Sequence, residues 1–356
     1  MRQTIEIIHP GLLTTVQDPG RPGMLHIALS RGGAMDPETL RIANLLVGNP
    51  EESAGLEITG LGPTIYFPND VCLACCGAPV VAEIITNKNA AQPLPINRPV
   101  VIRAQSTVRW KTFNQGFRAW LAIAGGIDGE LCLGSRSGHL AAGIGPRRIV
   151  AAQQLRLGPT ARAQTALMKT RLAAEISLDR FNNGHGETIR SDGLRGACLS
   201  PRWSIPPACP AGGSLIEIDV TQGRHFSLLS KEAQEKLLTQ HWQVSPRSNR
   251  QGLGLEGRAL DTTGLPNLLS EPVREGTVQL PPGGVPYILM AEHQTTGGYP
   301  RVLEIPSSMR GRLAQAGPGT KIQFKWITAE QLQAHRKRLD QYATSLRASI
   351  GVKLNA

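Results

Sequence analysis

The chain has 356 residues, 40% of them hydrophobic, with 39 Gly, 26 Pro and only 4% aromatics, enough for one large core or two ordinary domains of ~100–200 residues made of short elements joined by turns. The net charge of +11 is dispersed, with no basic tract beyond Arg336, Lys337 and Arg338; aromatics that would stack on bases are scarce, so the charge points to carboxylate or phosphate ligands or an acidic partner, not to nucleic acid. The opening MRQTIEIIHPG lacks the apolar core of a secretion signal and no stretch reaches the ~20 apolar residues of a membrane span, which predicts a soluble, cytoplasmic protein with no membrane contact.

In chain order, TIEIIHPGLLTTVQDPGRPG predicts two strands joined by a Pro-Gly turn, the second ending near Gln17, then a Gly/Pro loop. Asp36 caps a helix that has Pro37 and Glu38 in its first turn and Leu40, Ala43 and Val47 on one face, and Gly48 and Pro50 stop it. From 56 to 110 short apolar runs (LEI, TIYF, VCLACC, VVAEII, PVVI, TVRW) alternate with Gly, Pro and Asn, the pattern of a barrel or sandwich. Cys72, Cys75 and Cys76 lie inside one of these runs with no second cysteine cluster to complete a zinc site, so they are read as core strand and no metal is expected. FRAWLAIAGGID at 117–128 is a further buried strand, and the looser LGSRSGHLAAGIGP follows.

Residues 161–176 are Ala-rich and helical in period, and 182–213 are crowded with Gly, Pro, Asn and Ser; together 161–213 read as a linker or insertion. Lys169, in ALMKT, has helical surroundings and not the hairpin of a biotin carrier, so it is read as a solvated helix residue. Strands return at 215–220, a short helix capped by Ser230 covers 230–240, and strands recur at 253–260, 277–280, 285–291 and 302–305. RAQSTVRW and AGPGTKIQFKW end the two halves alike. Thr328 and Gln331 form a capping box for a last helix whose Leu332, Leu339, Tyr342 and Leu346 make a stripe expected to pack on the second half.

Phosphate-loop, HExxH, GxSxG and Rossmann signatures are absent. Three runs carry chemistry instead. QTTGGYPR at 294–301 brings an amide (Gln294), two hydroxyls (Thr295, Thr296), two small residues (Gly297, Gly298), a phenol (Tyr299) and a guanidinium (Arg301) into eight positions, which suits an anion or planar amide and equally suits a Gly-Gly turn between strands. SPRSNRQGLGLEG at 245–257 places Ser248, Asn249 and Arg250 before a Gly-rich strand, with Arg250 able to hold a carboxylate, or makes a polar turn. Near the start, Gln17, Asp18, Arg21, His26, Ser30 and Arg31 offer acid-base groups whose convergence spacing alone does not establish; His26 reads equally as a surface residue.

Taken together, GLLTTVQDPGRPG (11–23), GAMDPETLRIANLLVGNP (33–50), LEIT (56–59), GGID (125–128), LGSRS (133–137), SNRQGLGLEG (248–257) and QTTGGYPR resemble the 5-oxoprolinase C subunit (KipA-like, allophanate hydrolase subunit 2-like) branch of the biotin-dependent carboxyltransferase family. The resemblance implies a mainly β fold of two cyclophilin-like β-barrels with a few short helices, at 1–160 and 214–328, separated by 161–213 and followed by a helix and tail at 329–356. It also implies one subunit of a hydrolase complex that, with the A subunit plus a KipI-like B subunit, converts 5-oxo-L-proline to L-glutamate while consuming ATP, at a site not assigned. No covalently bound cofactor is expected. The alternatives are a biotin-dependent carboxyltransferase component related to urea carboxylase, taking a carboxyl group from carboxybiotin, and a KipA-like regulator that binds a KipI-like kinase inhibitor. Under the enzyme readings Gln294, Thr295, Thr296 and Tyr299 are the candidate catalytic residues, and Ser248, Asn249, Arg250, Gly297, Gly298, Arg301, Gln17, Asp18 and His26 line the substrate; NH groups of Thr295 and Gly297 would serve as oxyanion donors, and Arg250 or Arg301 would hold a carboxylate. The chain departs from the family pattern at Glu292 (Asp in the family), at Leu253 and Gly254 (an aromatic and a basic residue), at 219–223, and at Gly138 and His139 (Thr and Asp).

Overall fold

A computed structural model describes residues 2–86, 91–182, 198–206, 215–266 and 268–355. The fold is mainly β, with five α-helices among these residues, the last of them Ala329–Asn355. In the first half the strands form two sheets. The seven-stranded sheet is built around Thr4–His9, which pairs antiparallel with Thr64–Phe67 on one side and Gln154–Leu157 on the other. The six-stranded sheet has Val71–Gly77 and Arg118–Ile123 at its centre, with Gly55–Thr59 and Leu13–Gln17 beyond them. Ile5, Ile7, Leu56, Ile58, Ile65, Phe67 and Leu121 fill the core between the two sheets.

The six-stranded sheet is buried on both faces, which is why VCLACC and RAWLAI read as unbroken apolar runs. Its outer face is covered by the helices Pro37–Leu46 and Ala161–Asn182, through Ile42, Leu46, Met168 and Leu172 against Cys72, Ala74 and Ala122. Burial pushes the Cys72 and Cys75 thiols up to about 12 and Cys76 well above its ordinary value, so these are inert core residues. Asp36 caps the first helix, accepting from Thr39 N at 3.2 Å and Thr39 Oγ1 at 2.6 Å.

The second half closes into a barrel. Leu215–Gln222, Arg301–Glu304, Thr277–Gln279, Tyr287–Leu289, Gly252–Glu256, Trp242–Val244 and Lys321–Trp326 follow one another, and parallel pairing of the first with the last seals it. Closure removes the unpaired edges an open sheet would expose. The core of this barrel includes Met35, Leu40 and Trp120 from the first half, so the two halves share apolar packing. Gln315 reinforces the seam: its Oε1 accepts from Phe117 N (2.9 Å) and Arg118 N (3.0 Å), and its Nε2 donates to Arg118 O (3.0 Å).

Two expectations about the connecting elements change. The described part of 161–213 is not a free linker: the helix Ala161–Asn182 clads the first half, and Cys198–Leu199 extends its six-stranded sheet by pairing with Val100–Ile102. Cys209 and most of the Gly- and Ser-rich stretch lie outside the described residues. The terminal helix docks its far end on the first half, not on the second. Leu346, Ile350 and Leu354 join Ile42, Leu46 and Val47, and Arg347 binds Glu38 and Glu51 at 2.9 Å. Leu339 and Tyr342, the middle of the predicted stripe, are 40% and 43% exposed. The buried stripe begins at Leu346 and continues to Ile350 and Leu354 instead.

Candidate functional site

SNRQG forms a tight turn into the strand Gly252–Glu256. Asn249 N donates to Gly252 O (3.1 Å), Asn249 Oδ1 accepts from Gln251 N (2.8 Å), and Ser248 Oγ donates to Gly254 O (3.2 Å). Gly252 is required because a Cβ there would lie 2.2 Å from the Tyr287 ring. The Arg250 side chain leaves this turn inward and is 3% exposed. Its Nε donates to Glu292, one terminal nitrogen to Glu57, and the other to the carbonyl of Gly33. Arg250 therefore does not present itself to a ligand; it is a buried strut across the seam of the two halves. Burial alone would lower its pKa, but the charges of Glu57 and Glu292 and their hydrogen bonds raise it, so the guanidinium is firmly charged.

Both carboxylates are fully engaged. Glu57 also accepts from Met35 N (2.7 Å) and Trp120 Nε1 (3.0 Å), and Arg118 Nε lies 3.9 Å away. Glu292 also accepts from Ala141 N (2.9 Å), with His139 Nδ1 at 3.8 Å. His139 Nε2 lies 2.9 Å from Ser30 Oγ while its Nδ1 accepts from Ala142 N (3.2 Å), which makes Nε2 the protonated nitrogen. Burial lowers the His139 pKa against the pull of Glu292. Glu57 and Arg118 escaped the sequence reading, although each is a charge inside an apolar strand. Such a charge has to be paired when the strand is buried, and that signal was available.

Glu292 fixes the start of QTTGGYPR. Gln294 is exposed and its Nε2 donates to Gln279 Oε1 (3.0 Å). Thr295 carbonyl accepts from Val273 N (2.9 Å), and Thr296–Gly297 pairs antiparallel with Glu271–Pro272. The two glycines admit protein: a Cβ on Gly297 would be 2.5 Å from Gln279 Nε2, and one on Gly298 would be 3.0 Å from Leu268 O. Gln279, itself 1% exposed with its Nε2 unpartnered, is a site residue that sequence reasoning missed, because nothing in the run TVQ sets it apart. Thr296 and Tyr299 face outward, Tyr299 48% exposed. Arg301 is half-buried; it pairs with Glu271, donates to Pro272 O (3.3 Å), and its backbone N donates to His225 Nδ1 (3.1 Å). Its predicted ligand role competes with Glu271.

The N-terminal candidates separate. Asp18 is buried and braces the LGSRS loop, accepting from Ser135 Oγ and Arg136 N at 2.6 Å and Gly20 N at 2.8 Å. Gln17, fully buried, donates to Gly138 O (3.1 Å). Both are buried and support a loop. His26 is exposed on the short turn Leu25–Ile27, bonded through Nδ1 to Gly23 O (2.9 Å). Convergence happens elsewhere: Ser30, Gly33, His139, Arg250 and Glu292 meet at the seam, and Gly32 N donates to Ala291 O (3.1 Å). The outward-facing groups of the loop are thus an amide, hydroxyls and a phenol, held from behind by a buried network of charges.

A match to the carboxyltransferase domain, subdomain A and B, spans residues 27–326, and the chain belongs to that family. It is 30% identical to the 5-oxoprolinase C subunit of Escherichia coli (strain K12) over 96% of this chain and 97% of that protein. It is also 27% identical to the urea amidolyase of Saccharomyces cerevisiae over 96% of this chain but only 18% of that protein. Among solved structures it is similar to TTHA0988 (TM-score 0.70, 26% identity), covering 91% of this chain and about half, 56%, of that one. The Kluyveromyces lactis urea carboxylase is similar at a TM-score of 0.74 and 25% identity, over 96% of this chain and 29% of the carboxylase. No helix among the described residues is long and apolar enough to cross a membrane.

Proposed function

We propose that the chain is the C subunit of a 5-oxoprolinase, acting with the A subunit plus a KipI-like B subunit to convert 5-oxo-L-proline to L-glutamate with consumption of ATP. The observation that carries this reading is the similarity to the Escherichia coli protein along nearly the whole of both chains. The loop suits the substrate. Lactam opening puts negative charge on a carbonyl oxygen, which hydrogen-bond donors from Thr295, Thr296 and Gly297 would stabilise. Gln294 and Tyr299 offer partners to a planar amide, and Arg301 at the rim offers a cation to the substrate carboxylate in competition with Glu271. ATP is assigned to the complex and to no residue of this chain.

The test is reconstitution with Thr296→Ala and Tyr299→Phe. Each should lower glutamate formation by roughly tenfold to a hundredfold while leaving assembly of the complex intact. Full activity in both variants would remove the loop from the reaction.

A second reading, carboxyl transfer from carboxybiotin, is favoured by the similarity to urea amidolyase and urea carboxylase, within which this chain corresponds to one portion. The biotin carrier and the carboxylase would be separate chains, and the same exposed amide, hydroxyls and phenol suit a ureido carbonyl. Carboxylation of urea by the chain with a carboxylated carrier, together with no glutamate from 5-oxoproline, would favour this reading over the first.

A further inference from the structure

The first half, the second half and the terminal helix line a cleft of about 520 Å3 that takes no residue of the QTTGGYPR loop into its walls. That size falls in the ~300–1,000 Å3 range of small-molecule sites. Its walls carry Arg41 from the helix Pro37–Leu46, Ser308 and Arg310 from the turn that follows Arg301–Glu304, and Arg336 and Arg347 from Ala329–Asn355. Two of these residues have unmet polar atoms: Arg41 Nε and Ser308 Oγ are both out of solvent with no hydrogen-bond partner. A buried donor left unpaired costs about 1–3 kcal/mol, which a hydrogen-bonding ligand here would recover.

The acidic groups nearby pair Arg310 and Arg347 but leave Arg41 Nε without a partner. Glu38 is shared between Arg347 at 2.9 Å and Arg41 at a long 3.5 Å, Glu51 is taken by Arg347, and Glu275 is taken by Arg310 at 2.6 Å. Asp36 is committed to capping, and burial raises its pKa, which disfavours its charged form. Asp340, also in the wall, makes no ion pair with Arg336, whose side chain carries no hydrogen bond or ion pair among the described residues.

We propose that this cleft is a second binding site, for a small molecule bearing a phosphate or carboxylate group, with Arg41, Ser308, Arg310 and Arg336 as its ligands. Arginine is suited to both groups through its planar fork of donors. The neighbourhood is already short of negative charge: the Arg31 pKa is lowered by burial and then by repulsion from Arg310 and Arg41. A bound oxyanion would relieve that crowding. The site needs the terminal helix, which lies beyond the segment matched to the carboxyltransferase domain, so it would be a property of this chain and not of the domain.

The intact chain should be titrated calorimetrically with inorganic phosphate, ATP and L-glutamate at millimolar concentration, alongside Arg41→Gln and Arg336→Ala. Arg336→Ala is the safeguard, because that side chain is exposed and makes no hydrogen bond or ion pair among the described residues. Saturable binding of at least one compound, weakened about tenfold in both variants, is expected, a loss of about 1.4 kcal/mol. Binding of phosphate and ATP but not glutamate assigns the site to phosphates, and binding of glutamate alone assigns it to carboxylates. No saturable binding of any of the three, or binding that both variants leave unchanged, overturns the proposal.

Discussion

Arg250 shows how a residue suited to ligand recognition becomes structural once its surroundings are known. A guanidinium in a polar turn reads as a carboxylate receptor, and it does bind carboxylates, but they are Glu57 and Glu292 of the protein itself. Removing one partner of a buried ion network leaves the others uncompensated. Arg250→Ala should therefore cost about 3–5 kcal/mol of stability, read as a shift in the denaturant unfolding midpoint. A cost below about 1 kcal/mol, the range of exposed ion pairs, would mean the strut is not buried in solution. Two histidines next to this network predict a pH dependence. His139 and His293 have pKa values lowered chiefly by burial, below the ordinary 6.5. The unfolded chain then binds more protons than the folded one just below that value, so their contribution to stability is present above about pH 6.5 and is lost as pH falls through the folded values. Unfolding midpoints should fall between pH about 7.5 and about 5.5, and His293→Gln should flatten the profile. An unchanged slope in that variant would exclude His293 as a source.

The strands and their caps were legible in the sequence because local chemistry decides them. The Asp36 and Ser230 caps, the core strand with Cys72, Cys75 and Cys76, and the Thr328–Gln331 capping box all form as expected. What local patterning cannot decide is which distant surface an amphipathic element meets. The terminal helix makes the point: its stripe was visible, but its partner is the helix Pro37–Leu46 of the first half, and the contact is carried by the last residue of the predicted stripe, Leu346, together with Ile350 and Leu354 beyond it. Leu346→Ala and Ile350→Ala should each cost about 2–4 kcal/mol, whereas Leu339→Ala, at 40% exposure, should stay within about 0.5 kcal/mol. Equal effects of all three on thermal unfolding would contradict the packing of this helix. The same limit applies to QTTGGYPR. Its composition announced a special loop, but that Gly297 exists to admit the Gln279 amide depends on a strand distant in sequence.

The two halves share one packed seam, in which Met35, Leu40 and Trp120 complete the core of the closed barrel and Gln315 ties its end to the strand Arg118–Ile123. The sequence suggested two β units, and the shared core could not be read from it, since the apolar residues of a seam look like those of any interior. The same seam sets the background of the candidate site: Glu292 is held by Arg250 and Ala141, and the exposed residues of the loop begin two positions later. Whether this loop works in the C subunit of a 5-oxoprolinase is decided by measuring L-glutamate released from 5-oxo-L-proline and ATP by purified A and B subunits with and without this chain. ATP-dependent glutamate that requires all three components is the expected result. A stable three-component complex that releases no glutamate would contradict the proposed function.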